Sequence, residues 1–346
     1  MHQKQYEIDL NKYLNHINFT VFKDKSILIT GATGLIGSYL IDLLIKKNEQ
    51  DELNVNIYAV SRNEKKLKER FNTYYDNPHF HPVIQDVCDT FNIEYVDYII
   101  HGASNTHPVA YSTDPVGTIT TNVLGLYNLL NLAVEKQTKK FIFLSSVEIY
   151  GENKTDKDSF EETDFGYIDC NTLRAGYPES KRLGESLCQA YYSKYNLDIV
   201  IPRISRVYGP TIQKSDTKAL SQFINNVLED KDIVLKSDGT QYYSYAYVGD
   251  VVSAIVLLLE KGLPGEAYNI ADSKSDIKLK DLANLIAKEG NKKVIFDLPN
   301  ETEKKGFSKA TKAIINPQKL NNLGFEAITH IEEGISNTIK MLKEKR

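Results

Sequence analysis

Short apolar runs alternate with longer amphipathic segments through the first two thirds of the chain. The runs have the length of buried strands, and the segments between them carry apolar residues at helical spacing. This pattern predicts strands at Ser26–Thr30, Val55–Val60, Val83–Ile84, Tyr98–His101, Phe141–Leu144 and Asp198–Pro202. It predicts helices at Ser38–Lys47, Glu64–Phe71, Thr120–Glu135 and Tyr177–Lys194. Strands separated by such helices indicate an α/β fold with a doubly wound parallel sheet and right-handed crossovers.

The rhythm changes after about Pro210. Mixed helix and strand candidates follow, joined by turns rich in Gly and Lys: Ser221–Glu229, Ile233–Leu235, Val251–Leu259 and Leu279–Glu289. We therefore expect three parts: an N-terminal helical extension over 1–22, a sheet domain over 23–210, and a smaller α+β lobe over 211–346. Some strands of the third part can return to the main sheet. No chemistry is assigned to 1–22.

Composition narrows the class of protein. The 346 residues include 42 Lys and Arg against 46 Asp and Glu, a net charge of −4, which argues against a nucleic-acid or membrane-surface partner. Cys88, Cys170 and Cys188 have no spacing typical of disulfides or zinc, so we expect no metal. No signal peptide and no apolar run of ~20 residues is found. We expect a cytoplasmic protein.

A glycine-rich turn follows the first predicted strand and opens a helix. In Gly31-Ala-Thr-Gly34-Leu-Ile-Gly37, the first glycine permits a tight turn and the second lets a diphosphate approach backbone amides. Gly37 allows close packing of the helix on the strand. A P-loop is excluded because no Gly-Lys-Ser/Thr follows. The context indicates a Rossmann-type dinucleotide site.

The residues after the second and third strands bear on which dinucleotide binds. An acidic residue normally holds the ribose hydroxyl of NAD, but Ser61-Arg62-Asn63 stands at that place. A hydroxyl and a guanidinium suit the 2′-phosphate of NADP, although a solvated turn has the same composition. Asp86-Val87 follows the third strand, where a carboxylate can bind the adenine amino group or simply close a turn.

A Tyr and a Lys four residues apart form the strongest catalytic candidate. In Tyr177-Pro-Glu-Ser-Lys181 the two side chains share one helical face. A nearby ammonium favours the phenolate, so we expect Lys181 to lower the pKa of Tyr177 and make it a general base. Ser146, after the apolar run at Phe141–Leu144, can hydrogen-bond the same substrate hydroxyl. The pattern is common on surface helices, and it becomes informative only with the other motifs in order.

Together these motifs resemble the extended short-chain dehydrogenase/reductase family of nucleotide-sugar epimerases, dehydratases and decarboxylases. The resemblance extends from about Lys25 to Lys340 and includes TGATGLIG, HGAS, Asn122, SSVEIYG, YPESK, PRISRVYGP and YAYVGD. It implies Ser146, Tyr177 and Lys181 as catalytic residues, and a bound NAD or NADP that is regenerated each turnover. The sugar would be oxidised transiently at C4. Residues 23–210 would bind the dinucleotide and 211–346 mainly the nucleotide sugar.

The resemblance also implies two sets of binding residues. The cofactor set is Gly31, Thr33, Gly34, Leu35, Ile36, Gly37, Ser61, Arg62, Asn63, Asp86, Val87, Gly102, Ala103, Ser104, Asn122, Tyr177 and Lys181. The substrate set is Thr106, Ser146, Val147, Glu148, Arg174, Arg206 and Tyr243.

Glu148 is the most informative residue for the net reaction, and it joins the catalytic candidates. It would face the sugar ring, although a surface glutamate beside Lys154 or Lys157 has the same sequence context. Dehydratases carry an Asp-Glu pair here, whereas this chain has Val147, which cannot protonate a leaving hydroxyl. UDP-glucuronate decarboxylases carry a similar Glu-Val-Tyr-Gly stretch and an Arg three residues before the catalytic Tyr, as Arg174 is here. The best prediction is a UDP-hexuronate decarboxylase.

Two departures keep other activities open. The family usually has Arg where Tyr243 stands and Asn where Arg206 stands, which suggests that Arg206 replaces the absent guanidinium. A structural Arg below the sheet is the alternative. 4-Epimerisation is the second candidate, 4,6-dehydration the third, and a dinucleotide-sensing binding protein the non-enzyme alternative. The resemblance also implies a homodimer built on the two long helices, and a place in polysaccharide precursor synthesis.

Overall fold

The structure is a computed structural model that describes residues 4–106, 113–154, 157–297 and 311–345. Its centre is an eight-stranded sheet. The strands are β1 Ser26–Thr30, β2 Asn56–Ser61, β3 Phe80–Ile84, β4 Tyr98–His101, β5 Lys140–Phe143, β6 Ser145–Ser146, β7 Ile199–Ile204 and β12 Ala267–Ile270. Seven run in the order β12-β7-β5-β4-β1-β2-β3, with β6 beside β7. All neighbours are parallel, which confirms the predicted doubly wound Rossmann-type fold.

Helices flank this sheet and pack on the smaller lobe. They are α1 Lys4–His16, α2 Leu35–Asp51, α3 Glu64–Arg70, α4 Pro115–Glu135, α5 Gly176–Tyr195, α6 Ala219–Leu228, α7 Val248–Lys261, α8 Leu279–Glu289, α9 Gln318–Asn321 and α10 Ile331–Glu344. Side chains alternate along β1, so Ile27 and Ile29 join the apolar core on one face while Leu28 joins the core under α4 and α5. Burial on both faces explains why the strands are continuous apolar runs.

The smaller lobe is built from short strands. These are β8 Arg206–Tyr208, β9 Ile233–Leu235, β10 Tyr242–Tyr243, β11 Tyr245–Tyr247, β13 Ile277–Lys278, β14 Val294–Phe296 and β15 Lys312–Ala313. They form three small sheets: β8 with β11, β9 with β14, and β10 between β13 and β15. The chain then contributes β12 to the main sheet beside β7. Residues 211–346 therefore contribute strands to the small sheets and, through β12, to the main sheet.

The N-terminal helix is fixed to the body of the protein. Tyr13 in α1 is fully buried, and its hydroxyl donates to Asp250 at 2.9 Å and lies 2.7 Å from the hydroxyl oxygen of Thr329. Burial raises the pKa of Asp250 to about 6.

Across the described ranges no helix combines the length and apolar character needed to cross a bilayer.

Candidate active site

A cavity of about 850 Å³ opens at the carboxyl ends of β1 and β4, where the strand order reverses. Open parallel sheets bind ligands at this point because the loops after the two strands diverge there. The glycine turn forms one wall, and residues of the smaller lobe, including Tyr243, form the other. The cavity has the size of a ligand site rather than a packing defect.

Most predicted site residues line this cavity. They are Gly31, Thr33, Gly34, Leu35, Ile36, Gly37, Ser61, Arg62, Asn63, Val87, Gly102, Ala103, Ser104, Thr106, Ser146, Val147, Glu148, Arg174, Tyr177, Lys181, Arg206 and Tyr243. Two predicted cofactor residues, Asp86 and Asn122, are not in its wall. The fold thus gathers residues that lie more than 200 positions apart in the chain.

The glycine turn has the shape that a dinucleotide requires. Gly31 has φ +72°, and a Cβ there would lie 2.8 Å from the carbonyl oxygen of Gly102. A Cβ on Gly37 would lie 2.6 Å from the carbonyl oxygen of Gly31. Gly34 is the N-cap of α2 and provides no side chain to cap it. The first amides of α2 are therefore accessible to a diphosphate, and the residues present fit a dinucleotide.

Two polar residues in the loop after β8, which the sequence analysis missed, hydrogen-bond to the glycine turn. The Thr211 hydroxyl donates to the carbonyl of Leu35 at 2.7 Å, and the Gln213 amide donates to the carbonyl of Thr33 at 2.6 Å. Both follow the Tyr-Gly-Pro stretch after β8. The only sequence signal was a pair of polar residues after that motif, which by itself is typical of any loop.

The three catalytic candidates lie together. Tyr177 and Lys181 lie on one face of α5, and Ser146 ends β6 and hydrogen-bonds Tyr177. Lys181 is buried, and its Nζ donates to the carbonyl oxygen of Leu144 at 2.8 Å. A phenol, a hydroxyl and an ammonium in one cavity wall can move a proton to and from a substrate hydroxyl.

The ionisation of this set differs from the expectation. Burial raises the pKa of Tyr177 to about 12; the hydrogen bond from Ser146 lowers it, and the charge of Glu148 raises it further. Burial also lowers the pKa of Lys181 to about 8. The expectation that Lys181 lowers the pKa of Tyr177 in the protein alone is therefore wrong, because desolvation of the phenol dominates and Lys181 is not among the groups that shift it.

Asn122 supports the catalytic candidate Tyr177 through Ser180. It is buried in α4, and its amide donates to the Ser180 hydroxyl at 2.8 Å. That hydroxyl donates to the carbonyl oxygen of Tyr177 at 2.7 Å. Asn122 thus fixes the first turn of α5, and through it the position of the phenol. The sequence motif pointed to the residue, but only the packing of α4 on α5 shows this contact.

Glu148 lies between two guanidinium groups. It belongs to a 3₁₀ turn at Val147–Tyr150 that starts directly after β6. Its carboxylate oxygens lie 3.3 Å from Nη2 of Arg174 and 3.7 Å from Nη2 of Arg206. The alternative of a surface glutamate beside Lys154 or Lys157 is therefore wrong, since those lysines pair with Glu152 and Asp164.

This cluster is rich in guanidinium groups. Arg174 and Arg206 both contact Glu148 in a part-buried wall of the cavity, and Nη1 of Arg206 is buried with no hydrogen-bond partner within the described residues. Charge–charge attraction is stronger there than in bulk water. The cluster can therefore bind an additional anionic group, such as a carboxylate or a diphosphate.

Known proteins resemble this chain in both sequence and fold. Residues 27–271 match the profile of the NAD dependent epimerase/dehydratase family. The chain belongs to this family. That membership confirms the extended short-chain dehydrogenase/reductase assignment and the nicotinamide dinucleotide class of cofactor. Within the described residues, no group of three or more His, Cys, Asp or Glu is placed to hold a metal ion.

The alignments with individual similar proteins cover most of this chain. UDP-glucuronic acid decarboxylase 6 of Arabidopsis thaliana is 30% identical over 321 residues, covering 89% of this chain and 86% of that protein. UDP-glucose 4-epimerase of Thermotoga maritima, solved with UDP-glucose, is 24% identical with a TM-score of 0.80 over 92% and 99% of the two chains. UDP-glucuronic acid 4-epimerase of Bacillus cereus, solved with UDP-glucuronic acid and NAD, is 22% identical with a TM-score of 0.78 over 93% and 100%.

Proposed function

We propose that the protein modifies a nucleotide sugar by transient oxidation at C4, and that its net reaction is decarboxylation of a UDP-hexuronate. The observation that carries this is the position of Glu148, held by Arg174 and Arg206 in the cavity wall that also contains Tyr177. An acidic sugar brings a carboxylate and a diphosphate, and the buried Nη1 of Arg206, which has no hydrogen-bond partner within the described residues, can bind an oxygen of either group. The sequence similarity to the Arabidopsis decarboxylase supports the same reaction.

Tyr177 and Ser146 would act on the C4 hydroxyl. Ser146 holds the hydroxyl by a hydrogen bond while the phenolate of Tyr177 removes its proton, and the same phenol returns it at the end of the cycle. A nicotinamide dinucleotide held by the glycine turn would supply the acceptor and later the donor of the C4 hydride. Since burial raises the pKa of Tyr177 to about 12, the phenolate forms only when a cation stabilises it.

The 4-keto acid then decarboxylates. The C5–C6 bond breaks, carbon dioxide leaves, the electron pair moves onto the C4 oxygen, and C5 takes up a proton. The hydroxyl of Ser146 and the phenol of Tyr177 can donate hydrogen bonds to the negative C4 oxygen. Arg174 and Arg206 would hold the anionic groups of the substrate in position, and Glu148 would orient both guanidinium groups.

4-Epimerisation is the second candidate, and one observation favours it. Both guanidinium groups already contact Glu148, so a neutral hexose can occupy the site without placing a carboxylate there. Epimerisation would use the same Ser146–Tyr177 pair. 4,6-Dehydration ranks third, because Val147 has no proton to give to a leaving hydroxyl.

Product mass distinguishes these reactions. The protein would be incubated with NAD or NADP and separately with UDP-glucuronic acid, UDP-glucose and UDP-N-acetylglucosamine, with Tyr177→Phe as the matched inactive control. We expect loss of carbon dioxide from the uronate. An isomer of unchanged mass from any donor would replace decarboxylation by epimerisation, and loss of water would contradict both. If the wild-type protein gives no product from any donor and its response to ligand persists in Tyr177→Phe, the dinucleotide-sensing alternative is favoured.

We further propose a homodimer that pairs the α4 and α5 helices of two subunits. Apolar side chains at Val116, Ile119, Leu124 and Tyr127 follow one face of α4 and are exposed, as is Leu183 on α5. Leu124→Glu and Leu183→Glu should therefore give a monomer in light scattering, while Ile8→Glu on α1, equally exposed, should not. A wild-type monomer would contradict the proposal.

A further inference from the structure

The end of β2 forms the wall of the cavity next to the glycine turn. In the parallel register Thr30 of β1 lies opposite Val60 of β2, and the amide of Ala32 donates to the carbonyl of Val60 at 3.4 Å. Ser61 therefore lies beside Gly31. A dinucleotide whose diphosphate contacts the glycine turn has its adenosine ribose at the end of β2 in folds of this type.

This wall is cationic. Arg62 and Lys66 both line the cavity there, together with Ser61 and Asn63 on either side of Arg62 in the chain. The nearest acidic candidate, Asp86, does not line the cavity; it lies 3.5 Å from Nη1 of Arg62. The carboxylate that would accept a hydrogen bond from the ribose hydroxyls of NAD is thus replaced by two positive side chains.

Lys66 differs from the other lysines of α3. Lys65 pairs with Glu69 and Lys68 pairs with Glu64, as expected for residues four apart on a helix. Lys66 forms no ion pair with any residue in the described part of the chain. Its ammonium, at the cavity rim, is therefore available to a ligand anion.

We propose that this wall binds a 2′-phosphate on the adenosine ribose, so that the protein prefers NADP(H) to NAD(H). Arg62 can bind two phosphate oxygens through its planar guanidinium, and Lys66 adds a second positive charge to the same wall. The Ser61 hydroxyl accepts from the amide of Asn63 at 3.2 Å and donates to its carbonyl oxygen at 3.3 Å, a long bond that the hydroxyl can exchange for a phosphate oxygen. The inference deepens the proposed function, because it rests on the cavity being a dinucleotide site.

Asp86 does not prevent this binding. Its other oxygen accepts a hydrogen bond from the amide of Cys88 at 2.9 Å, which holds the carboxylate in place. Its contact with Arg62 is long, and the Arg62 side chain is 58% exposed. Exposed pairs of this kind are weak, so the guanidinium can turn to a dianionic phosphate. Asp86 then serves to orient Arg62 rather than to bind ribose.

Adenosine fragments test the preference without any turnover. Protein stripped of endogenous nucleotide with charcoal would be titrated in a calorimeter with 5′-AMP, with adenosine 2′,5′-bisphosphate and with adenosine 3′,5′-bisphosphate. The last has the same charge as the second and serves as the matched control. We expect the 2′,5′ compound to bind at least about tenfold more tightly than either of the others.

Several results would overturn the proposal. Equal affinity for 5′-AMP and the 2′,5′ compound would show that no 2′-phosphate site exists, and so would the absence of binding by all three. Equal affinity for the two bisphosphates would show only a general attraction of anions. Full-length NADP and NAD, titrated in the same way, must follow the order of the fragments.

Variants locate the site. Arg62→Ala and Lys66→Ala should each weaken binding of the 2′,5′ compound about tenfold while leaving 5′-AMP binding unchanged. Lys65→Ala, one residue away and outside the cavity wall, should change neither. A 2′-phosphate preference without decarboxylation would refute the proposed reaction alone, and decarboxylation with NAD and no such preference would refute this inference alone.

Discussion

The guanidinium of Arg206 lies against the ring of Tyr243, with its Cζ 3.5 Å from the ring centroid. The stacking fixes the plane of the guanidinium, and Nη2 then faces Glu148 at 3.7 Å. Nη1 is buried and has no hydrogen-bond partner within the described residues. A buried, unpartnered donor of this kind is costly unless a ligand satisfies it, so the arrangement supports Arg206 as a substrate-binding residue.

Arg206→Ala should raise KM for the nucleotide sugar by at least about tenfold, because a charge-assisted hydrogen bond to an anionic group is lost. Arg206→Lys should recover only part of this, since an ammonium cannot bind two oxygens in one plane or stack in the same way. Initial-rate kinetics on both variants measure the effect. An unchanged KM for Arg206→Ala would show that the residue has a purely structural role.

Glu148→Gln should lower kcat by about tenfold or more without weakening substrate binding. The amide keeps the shape of the side chain but removes the charge that orients Arg174 and Arg206, and the remaining cluster is more positive. Kinetics together with calorimetric binding of UDP separate the two effects. Weaker binding at unchanged kcat would contradict this assignment. Glu152→Gln, nearby and paired with Lys154, is the control and should be neutral.

Tyr177→Phe should lower kcat by about 10²- to 10⁴-fold, the range for loss of a general acid–base group. The ring remains buried, so dinucleotide binding and the melting temperature should stay close to those of the wild type. Because burial raises the pKa of Tyr177 to about 12, the wild-type rate should rise with pH through the neutral range as more phenolate forms. A rate that falls over this range would show that another group is the base.

Lys181→Met should abolish turnover and yet stabilise the fold near neutral pH. Burial lowers the pKa of Lys181 from its ordinary value of 10.5 to about 8, so the folded state binds fewer protons than the unfolded state between these values. The wild-type free energy of unfolding therefore gains a contribution as pH rises through this range and lacks it below about 8.

Urea unfolding as a function of pH tests this sign. Lys181→Met should be more stable than the wild type by about 1–2 kcal/mol below pH 8, after allowance for the hydrogen bond lost to Leu144. The difference should shrink as pH approaches 10.5. A difference that does not vary with pH would mean that the ammonium is not desolvated in the folded protein.

Gly31→Ala should destabilise the protein by about 2–4 kcal/mol and eliminate dinucleotide binding. A Cβ at φ +72° is strained, and it would lie 2.8 Å from the backbone of Gly102, which cannot move without displacing β4. Gly324→Ala is the matched control: its φ is +100°, but the nearest atom to the added Cβ is 4.0 Å away. Equal losses in the two variants would show that backbone strain alone, and not the close approach, determines the effect.

The larger elements followed from local pattern. Ser26–Thr30 and Tyr98–His101 form strands at the residues that the apolar runs predicted, because each run is buried on both faces. The strand predicted at Val83–Ile84 is longer, Phe80–Ile84, since His81 and Pro82 hid its apolar character. The two-residue strands β10, β13 and β15 had no local signal at all. They form only by pairing with partners that lie 34–70 residues away in the chain.

The dinucleotide turn, the Tyr177–Lys181 spacing and the family could be read from local sequence, because each depends on residues within one or two turns of a single element. What these residues can do depends on the packing of the whole chain. The structure showed that burial, and not the nearby ammonium, sets the pKa of Tyr177. It placed Glu148 with Arg174 and Arg206, which are 26 and 58 positions further along the chain. Desolvation and long-range charge pairing depend on how the elements pack, and no local pattern encodes that.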